Sequence, residues 1–285
     1  MIGYVAVTPS LTILIPSFRD PRILATIRSV RHFDDVDAVR VLVIDGGSSP
    51  DLVEAIRAAL LPGDALLSER DKGIFDGLNK GLERIATPYM GWLGSDDLFT
   101  GEVMASEVLA ALGKADLFIH SVAFIDDRHV RRITHSSPSA RGMMRLGLHN
   151  PHYGTFGRTD LLQSERFDIL DTAADIDYFL RIWNRNPSIV SSKRIGTLMG
   201  EGGFSNSSTQ KILKNNRSVY SAYRRHYGPF VPPVAVAVKL LYKAFGRAIH
   251  SISPIDWRRR FPTAARLSYI DSVTTGSSNV SSFQV

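Results

Sequence analysis

The chain has 285 residues, 44% of them hydrophobic, no cysteine and a formal charge of +6. That apolar fraction suffices for the core of one large domain, or one domain with an appendage, and the missing thiols exclude a disulfide framework, a thiolate zinc site and a cysteine nucleophile. The positive excess gathers late, at Arg217, Arg224, Arg225, Lys239, Lys243, Arg247, Arg258 to Arg260 and Arg266, and favours anionic partners without choosing among nucleic acid, phospholipid and phosphorylated substrate.

Met1 to Ser17 lacks the basic leader, long apolar core and small-residue cleavage site of a signal peptide, and Leu11 to Ile15 reads as a buried strand. Apolar runs then alternate with helical spacing. Leu11 to Ile15 precedes Pro21 to Val30; Val39 to Ile44 precedes Asp51 to Leu60; Ala65 to Leu67 precedes Phe75 to Ile85; Tyr89 to Leu93 precedes Glu102 to Leu112. This alternation specifies βαβ units and a mainly parallel sheet covered by helices on both faces. Such sheets bind ligands at the carboxyl ends of their strands, which is where Ser17, Asp45, Glu69 and Ser95 to Asp97 fall.

Further on, Leu117 to Ile119, Val122 to Ile125 and Val130 to Ile133 read as short strands, the last two around a turn at Asp126 and Asp127. Helices are expected at Ser139 to Leu146 and Asp175 to Trp183. A boundary is expected near Gly203 to Thr209, where the core domain (1–205) passes into a basic helical extension (206–268), followed by a Ser- and Thr-rich disordered tail (269–285). The longest apolar stretch, Val231 to Phe245, is broken by Pro232, Pro233, Lys239 and Lys243, so no spanning helix is expected. Its mixture of apolar and basic residues suits an interfacial helix on anionic lipid. No helix-turn-helix, zinc finger or aromatic RNA-reading pattern accompanies the charge, which argues against nucleic acid.

Several polar clusters have both an ordinary and a functional reading. Ser95-Asp96-Asp97 caps a helix, or supplies the two carboxylates that magnesium or manganese takes beside a diphosphate. Asp45 before Gly46-Gly47-Ser48 makes a tight turn, or accepts a hydrogen bond from a nucleobase. Asp175 and Asp177 complement a helix dipole, or one of them serves as a general base. The crowding of Asp71, Asp76, Asn79 and Lys80 into the first turns of a helix exceeds what apolar spacing at Phe75, Leu78 and Leu82 needs.

The order of Ile15-Pro16-Ser17, Ile44-Asp45-Gly46-Gly47-Ser48, Ser68-Glu69-x-Asp71-x-Gly73-Ile74-x-Asp76, Asn79-Lys80-Gly81 and Ser95-Asp96-Asp97 resembles family 2 glycosyltransferases, within them the branch that builds bacterial surface polysaccharides. The likeness continues through His152, Thr155-Phe156, Arg158, Phe167-Asp168, Ala174-Asp175-Ile176-Asp177 and Gly202-Gly203-Phe204-Ser205. Tyr153 stands where the branch has Gln, Gly94 where Asn is frequent, and Pro50 follows Ser49. The resemblance implies a GT-A type, Rossmann-like α/β fold and inverting transfer from a nucleotide-diphosphate sugar to a glycan or lipid-linked acceptor. The setting it implies is the cytoplasm or the cytoplasmic membrane face. Pro16, Ser17, Asp45, Asp71, Gly73, Asp76, Asn79, Lys80 and Asp96 are then donor-binding, and Asp97 with Asp96 holds Mg2+ or Mn2+. His152 and Arg158 lie on the acceptor or diphosphate side, Asp175 is the base, and Asp177 competes for that role. The rivals are a sugar nucleotidyltransferase, whose Gly-rich basic phosphate loop is missing after the first strand, and a non-catalytic assembly subunit that binds nucleotide sugar. No Gly-x-Gly-x-x-Gly follows that strand either, which disfavours a nicotinamide dehydrogenase.

Overall fold

The computed structural model describes residues 9–137, 152–200, 209–252 and 254–274. Strand β1 (Leu11–Ser17) is buried along its whole length because its alternate side chains feed two different cores. Leu11, Ile13 and Ile15 join Ile23, Ile27, Val30 and Phe33 of helix α1 (Ile23–Phe33) on one face. Leu14 joins Leu78 and Leu82 of α3 (Ile74–Leu82) on the other. A continuous apolar strand is what a sheet with both faces covered requires.

Strands β2 (Val39–Asp45), β3 (Ala65–Ser68) and β4 (Tyr89–Trp92) run parallel to β1 in the spatial order β3-β2-β1-β4, with α2 (Pro50–Ala59) between β2 and β3. The register sets Ser17 beside Asp45 and Asp45 beside Ser68, so three strands end flush at one edge. This is the α/β, largely parallel arrangement expected from the alternation.

The second half mixes directions. After β5 (Leu98–Phe99) and α4 (Ala105–Leu112), the two short strands expected between 117 and 125 form one strand, β6 (Leu117–Ile125), passing through buried His120 and Ser121. β7 (His129–Thr134) pairs with it antiparallel around the Asp126–Asp127 turn. A 3-10 turn (His152–Gly154) leads into β8 (Thr155–Arg158), which runs antiparallel between β4 and β6. Then come α5 (Thr159–Gln163), α6 (Ala174–Asn184) and β9 (Ile189–Gly200), which runs parallel to β6 and also pairs with β5. β8 and β9 escape sequence reading because Thr-Phe-Gly-Arg is too short, and Ser191 to Gly196 too polar, for a strand pattern. Their pairing with β6 decides them.

The extension comprises α7 (Thr209–Tyr227), α8 (Val231–Ile252), β10 (Ile255–Asp256), α9 (Trp257–Arg260) and α10 (Pro262–Thr274). It packs back onto the domain: Val219, Ala222, Tyr223 and Ala235 lie in the core with Tyr178 and Trp183, while Trp257, Phe261 and Ala264 pack on Ala25, Ala123, Val130 and Leu198. β10 pairs antiparallel with β7. Helix α10 continues beyond position 269, where a disordered tail was expected. Residues 275–285, the helix expected at 139–146 and the Gly202–Ser205 motif lie outside the described residues. Among the described residues no helix is long and apolar enough to cross a membrane.

Candidate active site

At the flush edge of β1, β2 and β3, Asp45 is fully buried. It accepts hydrogen bonds from Ser48 Oγ (2.5 Å), Ser48 N (3.0 Å), Gly47 N (3.2 Å) and Ser68 Oγ (2.7 Å). Burial alone would raise its pKa, but these donors outweigh it and hold the carboxyl below its ordinary value. Asp45 therefore builds the turn that shapes this edge. Beside it, the Ser17 hydroxyl, at the end of the strand that carries Pro16, is buried without a hydrogen-bond partner among the described residues. A buried hydroxyl left unpaired is costly, and a ligand at the edge would satisfy it. A cavity of about 500 Å³ opens here between Arg19, Pro21, Gly47, Ser48 and Leu52.

The Asp71 carboxylate wedges between the β2 turn and α3: a Cβ on Gly46 would sit 2.6 Å from its Oδ2 and one on Gly77 3.2 Å away, so a side chain at Gly46 would displace the carboxylate and one at Gly77 would crowd it. Gly73 starts α3 with φ +119°, a conformation that favours glycine. Lys80 knits the loop ahead of the helix, reaching Glu69 Oε1 (2.9 Å), Asp76 Oδ2 (3.4 Å) and the Arg70 carbonyl (3.1 Å). Asp76 also accepts the Lys72 N–H at 3.0 Å. Asn79 faces elsewhere: its amide donates to Phe167 O and accepts from Phe167 N, both at 2.9 Å, bracing α3 against the segment that leads to α6.

Past β4, Asp96 and Asp97 converge on Gly94. A Cβ there would lie 2.9 Å from Asp97 Oδ2 and 3.3 Å from Asp96 Oδ1, so the missing side chain leaves a cradle between two carboxylates. Asp97 is buried and, among the described residues, accepts only the Gly94 N–H, at 2.8 Å. Burial, then the neighbouring Asp96, push its carboxyl well above the ordinary value. Asp96 is raised in the same direction by burial and held back by Arg22, whose guanidinium stands 3.3 Å away. Arg22 in turn grips Asp20 at 2.9 and 2.8 Å. An oxygen-only pair of carboxyl groups fits a hard divalent cation that draws its remaining ligands from phosphate and water. Among the described residues no third His, Asp or Glu completes a preformed metal cage.

A third segment faces this pair. The indole N–H of Trp92, the last residue of β4, donates to His152 O at 2.6 Å, and Thr197 Oγ1 on β9 donates to Tyr153 O at 3.1 Å. Thr197 has one hydroxyl proton and spends it there, so its contact with His120 Nε2 at 2.9 Å must be donated by the imidazole. His120 is wholly buried, which lowers its pKa to about 3 and keeps it neutral. Glycines at 154 and 196 leave room for its ring, since a Cβ on either would collide with it. The His120–Thr197 relay thus fixes the turn carrying His152 and Tyr153. The Tyr153 phenol is raised by burial and by Asp97, Asp175 and Asp96, in that order, so it sits in the field of all three carboxylates.

Asp175, in the first turn of α6, is half-exposed, with Oδ2 3.8 Å from His152 Nδ1. Asp177 points the other way, because two residues along a helix do not share a face. It is enclosed by Arg225 (2.9 Å), Arg181 (3.1 Å) and His226 (3.1 Å), tying α6 to α7. Phe167 stacks on Tyr178 of α6 at 4.1 Å, and Trp92 meets Phe179 edge-on at 5.7 Å, which locks α6 against β4.

Arg158, expected on the diphosphate side, lies at the opposite edge of the sheet. β8 runs antiparallel to β4, so the strand that leaves His152 at the carboxyl edge carries Arg158 back beside Tyr89 at the amino edge. There it pairs with Asp160 at 2.5 Å and borders a cavity of about 680 Å³ with Thr87, Lys114 and Asp116. Arg22, Thr197 and His120 went unnoticed in the sequence, where nothing signals contacts between residues 70 or more positions apart.

The Glycosyl transferase family 2 model matches residues 12–174, more than half of the chain. An uncharacterised glycosyltransferase of Mycobacterium tuberculosis is 35% identical over 109 residues, 37% of this chain and 41% of that protein, so this match spans less than half of the relative. A PGL/p-HBAD biosynthesis glycosyltransferase of Mycobacterium bovis is 27% identical over 277 residues, 88% of this chain and 98% of that protein. In structure, Staphylococcus aureus TarS 1–349 is similar with a TM-score of 0.58 and 15% identity, over 85% of this chain and 74% of that one. The mannosyltransferase PcManGT of Pyrobaculum calidifontis, in complex with GDP-Man and Mn2+, gives 0.51 and 15%, over 95% and 88%. These structures share the GT-A type fold. From the family match together with that fold, the chain belongs to glycosyl transferase family 2.

Proposed function

We propose that the chain is an inverting glycosyltransferase that moves a sugar from a nucleotide-diphosphate sugar to a hydroxyl of a lipid-linked glycan, in surface polysaccharide synthesis at the cytoplasmic membrane face. The observation that carries this reading is the division between two neighbouring acids. Asp175 is partly exposed, with its carboxylate 3.8 Å from His152 Nδ1, while Asp177 is held by three basic partners.

The donor's nucleoside lies along the edge made by Pro16, Ser17 and the Asp45 turn, with the Ser17 hydroxyl as a hydrogen-bonding group. Asp71, Gly73, Asp76 and Lys80 shape the wall beside it, Asn79 braces that wall, and Asp96 faces the ribose. A magnesium or manganese ion held by Asp97 and Asp96 would neutralise charge on the departing diphosphate. The Mn2+ and GDP-Man bound by the Pyrobaculum enzyme support such a donor site. Asp175 takes the proton of the acceptor hydroxyl as its oxygen bonds to the anomeric carbon. The bond from that carbon to the diphosphate breaks on the opposite face, which inverts the centre. His152 stands beside the base, its Nδ1 3.8 Å from Asp175 Oδ2, and burial lowers the imidazole pKa more than Asp175 raises it.

The test compares Asp175→Asn with wild type on a nucleotide-sugar panel. Donor affinity is expected to persist while turnover falls about 100-fold or more. An active Asp175→Asn enzyme, or a product with retained anomeric configuration, refutes the assignment.

A further inference from the structure

Helix α8 turns an unbroken apolar face to solvent. Phe230, just ahead of the helix, is 87% exposed, Leu241 69% and Phe245 68%, with Val234 and Leu240 about half exposed. Pro233, Ala237, Ala244 and Ala248, interspersed among them, are exposed as well. At about 100° per residue these nine positions form one stripe about 27 Å long, with no polar residue inside it. The opposite side of α8 is already used, with Ala235 buried and Val231 and Val236 packed on the core. A contiguous apolar stripe of this length marks an interaction surface.

Charge decides what covers it. Residues 206–268 carry twelve Lys and Arg against one acid, Asp256, although the whole chain nets only +6. The rest of the molecule is therefore net negative, and the positive field belongs to the extension. Arg258, Arg259 and Arg260 on α9 are exposed close after the end of α8. A second copy would bring two such positive surfaces together. An apolar helix face flanked by basic residues is instead the form that settles into the headgroup region of an anionic bilayer.

We propose that the Phe230 to Ala248 face of α8 inserts into the interface of an anionic membrane, with the basic residues of the extension on the lipid phosphates. The inference deepens the reading of a lipid-linked acceptor, and it can be tested without turnover. Full-length protein is floated with phosphatidylcholine vesicles, with and without phosphatidylglycerol, alongside the double variant Leu241→Asp/Phe245→Asp. Both positions are exposed, so the variant is expected to keep the wild-type Tm and donor affinity. Wild type should float with anionic vesicles, far less with neutral ones and less at high salt, and the variant should lose about tenfold or more in partitioning. Three results would overturn the proposal: wild type that ignores anionic vesicles at low salt, a variant that floats as wild type does, or a dimer in sedimentation that the double substitution dissociates. Donor binding and hydrolysis in solution report separately on the transferase reading, so either idea can fail alone.

Discussion

Asp97 is a single group held at a cost to stability. Burial and Asp96 raise its pKa well above 3.8, so the folded protein keeps a proton that the unfolded chain has already released. Stability then falls as pH rises from the ordinary carboxylate value through the raised one, and stays at the lower level above it. Asp97→Asn abolishes this titration. In EDTA at pH 7 the variant is expected to melt a few °C above wild type, with the gap closing toward pH 4. Manganese should stabilise wild type and leave the variant unchanged. A variant that melts below wild type at pH 7 in EDTA would contradict the picture, and thermal melts across pH decide it.

Helix α6 is positioned from both ends. Its amino end is set by the Asn79–Phe167 clamp and the Phe167–Tyr178 stack, and its inner face is pinned to α7 by Asp177. The Asp177 side chain is only 12% exposed, and its removal takes a shared carboxylate from Arg181, Arg225 and His226, although Arg181 keeps Glu165 and Arg225 keeps Asp171. Asp177→Ala should cost about 1–2 kcal/mol, discounted for the solvent-exposed Arg225 head, read as a fall in Tm of a few °C, while nucleotide affinity in the folded protein stays near wild type. Loss of turnover with stability and donor affinity unchanged would return Asp177 to the chemistry. The neighbouring Asp175→Asn predicts the reverse pattern, which separates the two acids by measurement.

At the scale of the whole molecule, composition suggests a boundary near residue 205, while the cores are shared by residues from both sides of it. Tyr223 and Ala222 are wholly buried in the core that holds α6, and Trp257 and Phe261 seal the face of α1, β6 and β9. A chain ending at Ser208 would expose both surfaces and leave β7 without β10. It is expected to be insoluble, or to lose its cooperative melting transition in calorimetry. A soluble truncated protein with a sharp transition would show that the extension is a separate body.

The four parallel strands and their ligand edge could be read from the chain, because buried strands need continuous apolar runs and parallel connections need helices between them. The same runs put Ser17, Asp45 and Ser95 to Asp97 at strand ends, and the family resemblance singled out Asp175. Tertiary structure decided the rest. Local pattern carries no information on whether Asn79 meets Phe167 or donor, and none on which direction β8 takes Arg158 away from His152. Packing also sets the two acids of α6 apart, since α7, arriving from almost fifty residues later, binds Asp177 and leaves Asp175 beside His152.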